Sequence, residues 1–286
     1  MVVTIVGCGD IGTRLALAHR AEGDQVRAWV RTRESAQRLQ DLGLDAVQAD
    51  LDGDLPSSRQ AVHGGLYYFA PPPPKGVQDS RVARFIARLD LGPLPERVVY
   101  LSTSGVYGDC QGAWVDETRT PAPAVDRARR RLDAEAQWRA WSRRTGRDLV
   151  VLRVAGIYGP GKLPLQRLHS GLPMVAEADA PITNHIHSLD LVSIARIAMQ
   201  RGVAGEIYNV CDGSPEPMTC YFNQVADFLG LPRPPVITLE EAQRQLSSGM
   251  LSYLRESRRL SNRKLLEELE VELDYPSLLQ GLPASL

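Results

Sequence analysis

The chain has 286 residues, with 33 Lys and Arg against 34 Asp and Glu and a formal net charge of −1. That balance argues against a nucleic-acid or membrane-surface binder, and no apolar run approaches the roughly 18 residues of a membrane span. An apolar fraction of 43% supports a sizeable core in one large or two modest domains. Cys8, Cys110, Cys211 and Cys220 show no disulfide or zinc spacing, and the first strand signal begins at residue 2, leaving no room for a signal peptide. The expectation is a reduced, cytoplasmic protein that binds a small molecule, with no nucleic acid, membrane or metal.

The apolar run Val2–Val6 breaks into Gly7-Cys8-Gly9-Asp10-Ile11-Gly12, and a helical stretch follows over 13–20. This is G-x-G-x-x-G between a strand and a helix, the dinucleotide fingerprint. Gly7 permits the tight turn, Gly9 lets backbone approach a pyrophosphate, and Gly12 lets helix and strand pack closely. Asp10 and Ile11 complete a loop whose free amides and dipole end attract the pyrophosphate. The alternative is a glycine-rich turn in an unrelated α/β protein.

A second strand over 25–30 ends in Arg31-Thr32-Arg33. An NAD site places a carboxylate at that tip to hold the ribose hydroxyls. Two guanidiniums stand there instead, suited to a 2′-phosphate, so NADP(H) is expected over NAD(H). The bland alternative is that Arg31 and Arg33 are solvated residues at a helix start.

A helix over 34–42 and a third strand over 45–50 follow, placing Asp50 and Leu51 near the adenine, beyond the carboxyl ends of the strands. A fourth strand over 65–70 stops at Pro71–Pro74, which lack amide donors. With Ala70, Pro71 lies along the cofactor cleft; the prolines either wall that cleft or only stiffen a loop. A helix over 79–89, a fifth strand over 97–101, a charged helix over 126–144 and a sixth strand over 149–153 complete a β-α alternation. That pattern predicts a doubly wound parallel α/β sheet. The dinucleotide-binding domain is expected over 1–162. A smaller substrate lobe is expected mainly over 163–286, with helices near 190–200, 219–229 and 239–247 and some segments returning to the first domain.

Several blocks then stand in order: LSTSGVYG at 101–108, Asp116-Glu117, LRVAGIYGPG at 152–161, HIHSLDLV at 185–192 and YNVCDGSP at 208–215. With the fingerprint and the closing segment from Glu256, the chain resembles the extended or atypical short-chain dehydrogenase/reductases, in the NAD-dependent epimerase/dehydratase group. The resemblance implies a Rossmann fold, a nicotinamide cofactor, and an oxidoreductase or epimerase acting on a small polar or sugar-like substrate. It also implies a homodimer through the charged helix, with Trp138 and Trp141 partly buried against the partner.

The family's chemistry uses a Ser or Thr after the fifth strand and a Tyr-x-x-x-Lys pair on the next helix. The resemblance puts Thr103 at the Ser/Thr position, with Ser104 beside it. Counting back from Glu135, Arg131 stands where Lys belongs and Arg127 where Tyr belongs. Arginine keeps its proton, so Arg127 cannot act as general acid/base, while Arg131 can still supply charge and hydrogen bonds. Tyr107 and Tyr158 are either stand-in proton donors or structural hydroxyls. A non-catalytic NADP(H)-binding sensor or scaffold is the competing reading.

Three further groups carry two readings each. His185 and His187 share one side of an extended segment, as a cluster with Asn184 and Asp190 or as lobe support. Asp116 and Glu117 face a substrate or solvent. Cys8 at a helix N-terminus is either a stabilised, oxidisable thiolate or a small residue filling a tight turn.

Overall fold

The computed structural model describes residues 1–53, 55, 62 and 64–286. Seven strands form the central sheet: β1 (Val2–Val6), β2 (Gln25–Val30), β3 (Asp45–Gln48), β4 (Gly65–Tyr68), β5 (Arg97–Thr103), β6 (Asp148–Val154) and β7 (Ile207–Val210). Their order is β7-β6-β5-β4-β1-β2-β3, and the ladders joining β1 to β2, β1 to β4, β2 to β3 and β4 to β5 are parallel. This is the doubly wound Rossmann order, with the switch point at β1 and β4. The strands read as near-continuous apolar runs because helices cover both faces. Those helices are α1 (Asp10–Ala21), α2 (Arg33–Asp41), α3 (Ser80–Leu89), α4 (Asp126–Thr145) and α5 (Ser188–Arg201).

Residues 1–106, 126–153 and 191–208 make one compact unit, and residues 107–125, 154–190 and 209–286 make another. Residues 107–125 and 154–162 therefore cluster with the second unit, where the sequence reading had placed them in the first. In the first unit, Trp29, Tyr68, Phe85, Tyr100, Trp138 and Trp141 belong to one buried cluster. Tyr68 meets Trp138 at 5.4 Å between ring centroids, and Trp138 meets Trp141 edge-on at 5.5 Å. Edge-to-face contacts of this kind add to simple burial. Both indoles are thus core groups, which corrects the expectation that they pack against a partner subunit.

Two polar networks tie this unit together. The buried His19 ring hydrogen-bonds Asp24 at 2.7 Å and the Tyr67 hydroxyl at 2.8 Å, fastening α1 to β4. Glu135 of α4 accepts a two-point contact from Arg153 of β6, at 3.1 and 2.7 Å, and a hydrogen bond from the Ser102 hydroxyl of β5 at 2.6 Å. All three side chains are buried.

The second unit has its own core around Tyr158, Met174, Met218, Tyr221, Phe222 and Leu278. Its sheets are two-stranded, among them 156–158 with 185–187 and 114–115 with 259–260. The helix expected near 239–247 is two short helices, Leu239–Gln245 and Ser248–Leu254. Thr238 opens the first with a capping box and Ser247 caps the second, so the chain restarts rather than continues.

Candidate functional site

In the turn from β1 into α1, Gly7 and Gly12 sit where a tight turn and close helix-strand packing need glycine. Gly7 has φ +84°, and a Cβ there would lie 2.3 Å from the Ala70 amide nitrogen. Gly12 packs helix on strand, since its Cβ would sit 3.3 Å from Cys8 Sγ, the Gly7 carbonyl and Ile5. Gly9 differs: a Cβ there would meet no atom within 4 Å. Backbone there faces open space at the start of a twelve-residue helix, and no side chain caps its amides, which leaves them as donors to an anion. The Asp10 side chain pairs with Arg14 one turn on, and the Ile11 side chain is buried.

A cavity of about 210 Å³ opens at the carboxyl ends of β1 to β4, lined by Val6, Gly7, Trp29, Arg31, Ala49, Asp50, Leu51, Ala70, Pro71 and Arg81. Six of the predicted cofactor residues meet there: Gly7, Arg31, Asp50, Leu51, Ala70 and Pro71. Arg33 does not line it; it is the first residue of α2 and is exposed. The Thr32 hydroxyl caps α2 by accepting from the Ser35 amide at 3.1 Å. Asp50 accepts from the Asp52 amide at 3.0 Å, closing a turn after β3. No carboxylate stands at the tip of β2. Trp29 and Arg81 were missed by the sequence reading. Trp29 is the penultimate residue of β2 and carried a weak signal by position, whereas Arg81 carried none.

Thr103 and Arg131 converge on the carboxyl end of β5. The Thr103 hydroxyl accepts from the Gly105 amide at 3.2 Å, and Ser104 is buried. Arg131 Nη1 donates to the carbonyls of Ala70 and Leu101, both at 3.2 Å, and reaches the Tyr100 hydroxyl at 3.4 Å. Its charge therefore sits on the carbonyl edge of β4 and β5. Arg127, one turn earlier on α4, is exposed.

The remaining candidates hold structure within the second unit. Tyr107 donates to Asn209 Oδ1 at 2.8 Å, and Tyr158 donates to the Ser277 carbonyl at 3.1 Å. Burial pushes the Tyr158 hydroxyl well above the ordinary tyrosine range. Glu117 accepts from the Asn209 amide at 2.7 Å, and Asp116 closes a turn by accepting from Thr118. His185 stacks on Tyr221 at 4.2 Å, and burial lowers its pKa to about 4. His187 packs on Tyr158 and Tyr275, while Asp190 accepts the amides of Asp274 and Tyr275. Among the described residues no group of three or more His, Cys, Asp or Glu is arranged to hold a metal.

Cys8 is buried and its thiol is pushed up to about 12 by desolvation, against smaller lowering effects from Thr13 and Arg38. That corrects the stabilised-thiolate reading: burial outweighs the helix terminus. No described helix is long and apolar enough to cross a membrane.

The model of the NAD dependent epimerase/dehydratase family matches residues 80–211. Protein YeeZ of Escherichia coli strain K12 is 27% identical over 282 residues, covering 96% of each chain. A solved structure of a functionally unknown conserved protein from Silicibacter pomeroyi is 30% identical, covers 99% of this chain and 97% of its own, and superposes with a TM-score of 0.84. UDP-glucuronic acid 4-epimerase from Bacillus cereus, solved in complex with NAD, shares the fold at a TM-score of 0.78 and 17% identity, over 100% of this chain and 97% of that one.

Proposed function

This chain belongs to the NAD dependent epimerase/dehydratase family, among the extended short-chain dehydrogenase/reductases, and from that premise we propose an NADP(H)-binding oxidoreductase or epimerase acting on a small polar or sugar-like substrate. The observation that carries the reading is the cavity at the switch point, continuous with the Gly7 turn and lined by Arg31, which stands just past the tip of β2 where an NAD site has its carboxylate. The open space at Gly9 fits a pyrophosphate, and the uncapped amides of α1 give it donors. The cofactor, when bound, supplies hydride transfer. Arg31 takes the 2′-phosphate, Leu51 and Asp50 border the adenine, and Thr103 holds a substrate oxygen by hydrogen bond. Arg131 keeps positive charge at the end of β5, and Arg127 moves no proton.

Removing one charge-assisted contact costs about 1.5–3 kcal/mol, or roughly 10- to 150-fold in affinity. Arg31→Ala is therefore expected to weaken NADPH by that factor and NADH by less than threefold, read by protein-fluorescence titration. Equal NADPH binding by wild type and variant removes the NADP(H) assignment.

A second reading, a non-catalytic NADP(H) sensor or scaffold, is favoured by one specific observation. The Tyr107 and Tyr158 hydroxyls are already donating within the second unit, so neither is an evident replacement for the missing tyrosine. Slow NADPH oxidation across a panel of carbonyl compounds, lost in Thr103→Ala, supports the enzyme. Cofactor binding with no turnover of any carbonyl supports the sensor.

A further inference from the structure

Arg81 occupies the first turn of α3, the end of a helix where a positive side chain opposes the dipole. Its backbone is fixed there by Asp79, whose carboxylate accepts from the amides of Arg81 and Val82, each at 3.1 Å. The side chain is nine-tenths buried and reaches the nucleotide cavity.

Four of its five N–H donors have partners. Nε donates to Asp52 Oδ1 at 2.8 Å, and Nη2 donates to Asp52 Oδ2. Nη1 donates to the carbonyls of Pro71 at 3.0 Å and Pro72 at 3.1 Å. One turn on, Arg84 holds the Asp52 and Gly53 carbonyls, at 2.6 and 2.9 Å, so α3 grips the loop after β3 at two points. A guanidinium held in this way has a fixed plane and a charge matched by a two-point carboxylate. It has little left with which to fork onto a phosphate, and its flat face is what a ligand can still meet. Trp29 walls the same cavity, and its indole N–H has no acceptor among the described residues.

We propose that Asp52 and Arg81 form a base-specificity element: Asp52 and the Pro71 and Pro72 carbonyls pin the Arg81 guanidinium edge-on, so that it selects a purine ring by stacking and leaves phosphate recognition to Arg31 and the glycine turn. The proposal rests on the cofactor reading above and adds the residue that chooses the base. A purine offers this face a larger π surface than a pyrimidine.

The test is calorimetric titration of the full chain with ADP and UDP, which share ribose and pyrophosphate and differ in the base. Wild type is expected to prefer ADP. Arg81→Leu is expected to lose about tenfold for ADP while UDP changes by less than twofold, which collapses the ratio. Arg81→Lys restores charge without the plane and is expected to stay low. Asp52→Asn keeps Arg81 but loosens it, and is expected to fall between. Thermal melting without ligand identifies any variant that has lost its fold; Asp52→Asn then carries the comparison.

Wild type binding ADP and UDP alike overturns the proposal, as does full rescue by Lys. A parallel loss of both nucleotides in Arg81→Leu would mean a loop staple only, which also overturns it. Binding of NADP⁺ by wild type with any of these results leaves the cofactor reading standing; failure to bind either NADP⁺ or NAD⁺ removes both.

Discussion

Glu135→Ala is expected to destabilise the Rossmann unit by about 3–5 kcal/mol, the cost of removing one partner of a buried ion pair. Arg153 is 2% exposed and Glu135 1%, so water cannot readily replace the lost carboxylate. The Ser102 hydroxyl loses its acceptor in the same step. At roughly 2–4 °C per kcal/mol, the melting temperature should fall by about 10 °C. The pair itself need not be strongly stabilising, because desolvating both charges offsets much of their attraction. Glu135→Leu combined with Arg153→Met is therefore expected to recover most of the loss. A double variant no more stable than Glu135→Ala would contradict that account. Differential scanning fluorimetry of the three proteins decides it.

The second large effect separates folding from binding within one turn. Gly7→Ala places a methyl group 2.3 Å from the Ala70 nitrogen and 2.5 Å from its Cα, at a φ of +84°. Left-handed backbone alone costs a non-glycine residue about 1–3 kcal/mol, and the overlap is with backbone rather than a movable side chain. A loss of 3 kcal/mol or more is expected, together with loss of cofactor binding. Gly9→Ala meets nothing within 4 Å at a φ of −78°, so its melting temperature should stay within about 2 °C of wild type. Its NADPH affinity should nonetheless fall at least tenfold, because the added methyl occupies the space through which backbone approaches the pyrophosphate. If Gly9→Ala binds NADPH normally, that space is not the pyrophosphate site.

Local pattern carried the first half of the fold. The β-α alternation was legible because each strand is a short apolar run closed by Gly, Pro or a charged cluster. Boundaries moved where geometry rather than composition sets them: α1 begins at Asp10, three residues before the helical stretch read from sequence, because Gly9 turns directly into the helix. The seventh strand, Ile207–Val210, is only four residues long and was read as a family block rather than as an element. The open turn between β1 and α1 was legible through glycine spacing. Arg81 was not, since its role depends on Asp52 and two proline carbonyls that no local pattern connects to it. Arg153 sat inside an apolar strand whose partner, Glu135, lies on a different element. Trp138 and Trp141 share a helix face, but packing against α3 and the sheet decides that this face looks inward.

The burial of Cys8 has a further use once the two units are considered separately. Cys8 lies in the first unit, Cys110 and Cys211 lie in the second, and all three thiols are free and shielded. A shielded thiol reacts with an alkylating reagent only when its surroundings open. Labelling kinetics under native conditions, resolved by peptide mass, would therefore give an opening free energy for each unit from the unaltered protein. Cys220, half-exposed in the second unit, supplies the reference for a thiol already within reach. Where a ligand slows labelling at Cys8 alone, the unit it steadies is identified without any introduced probe.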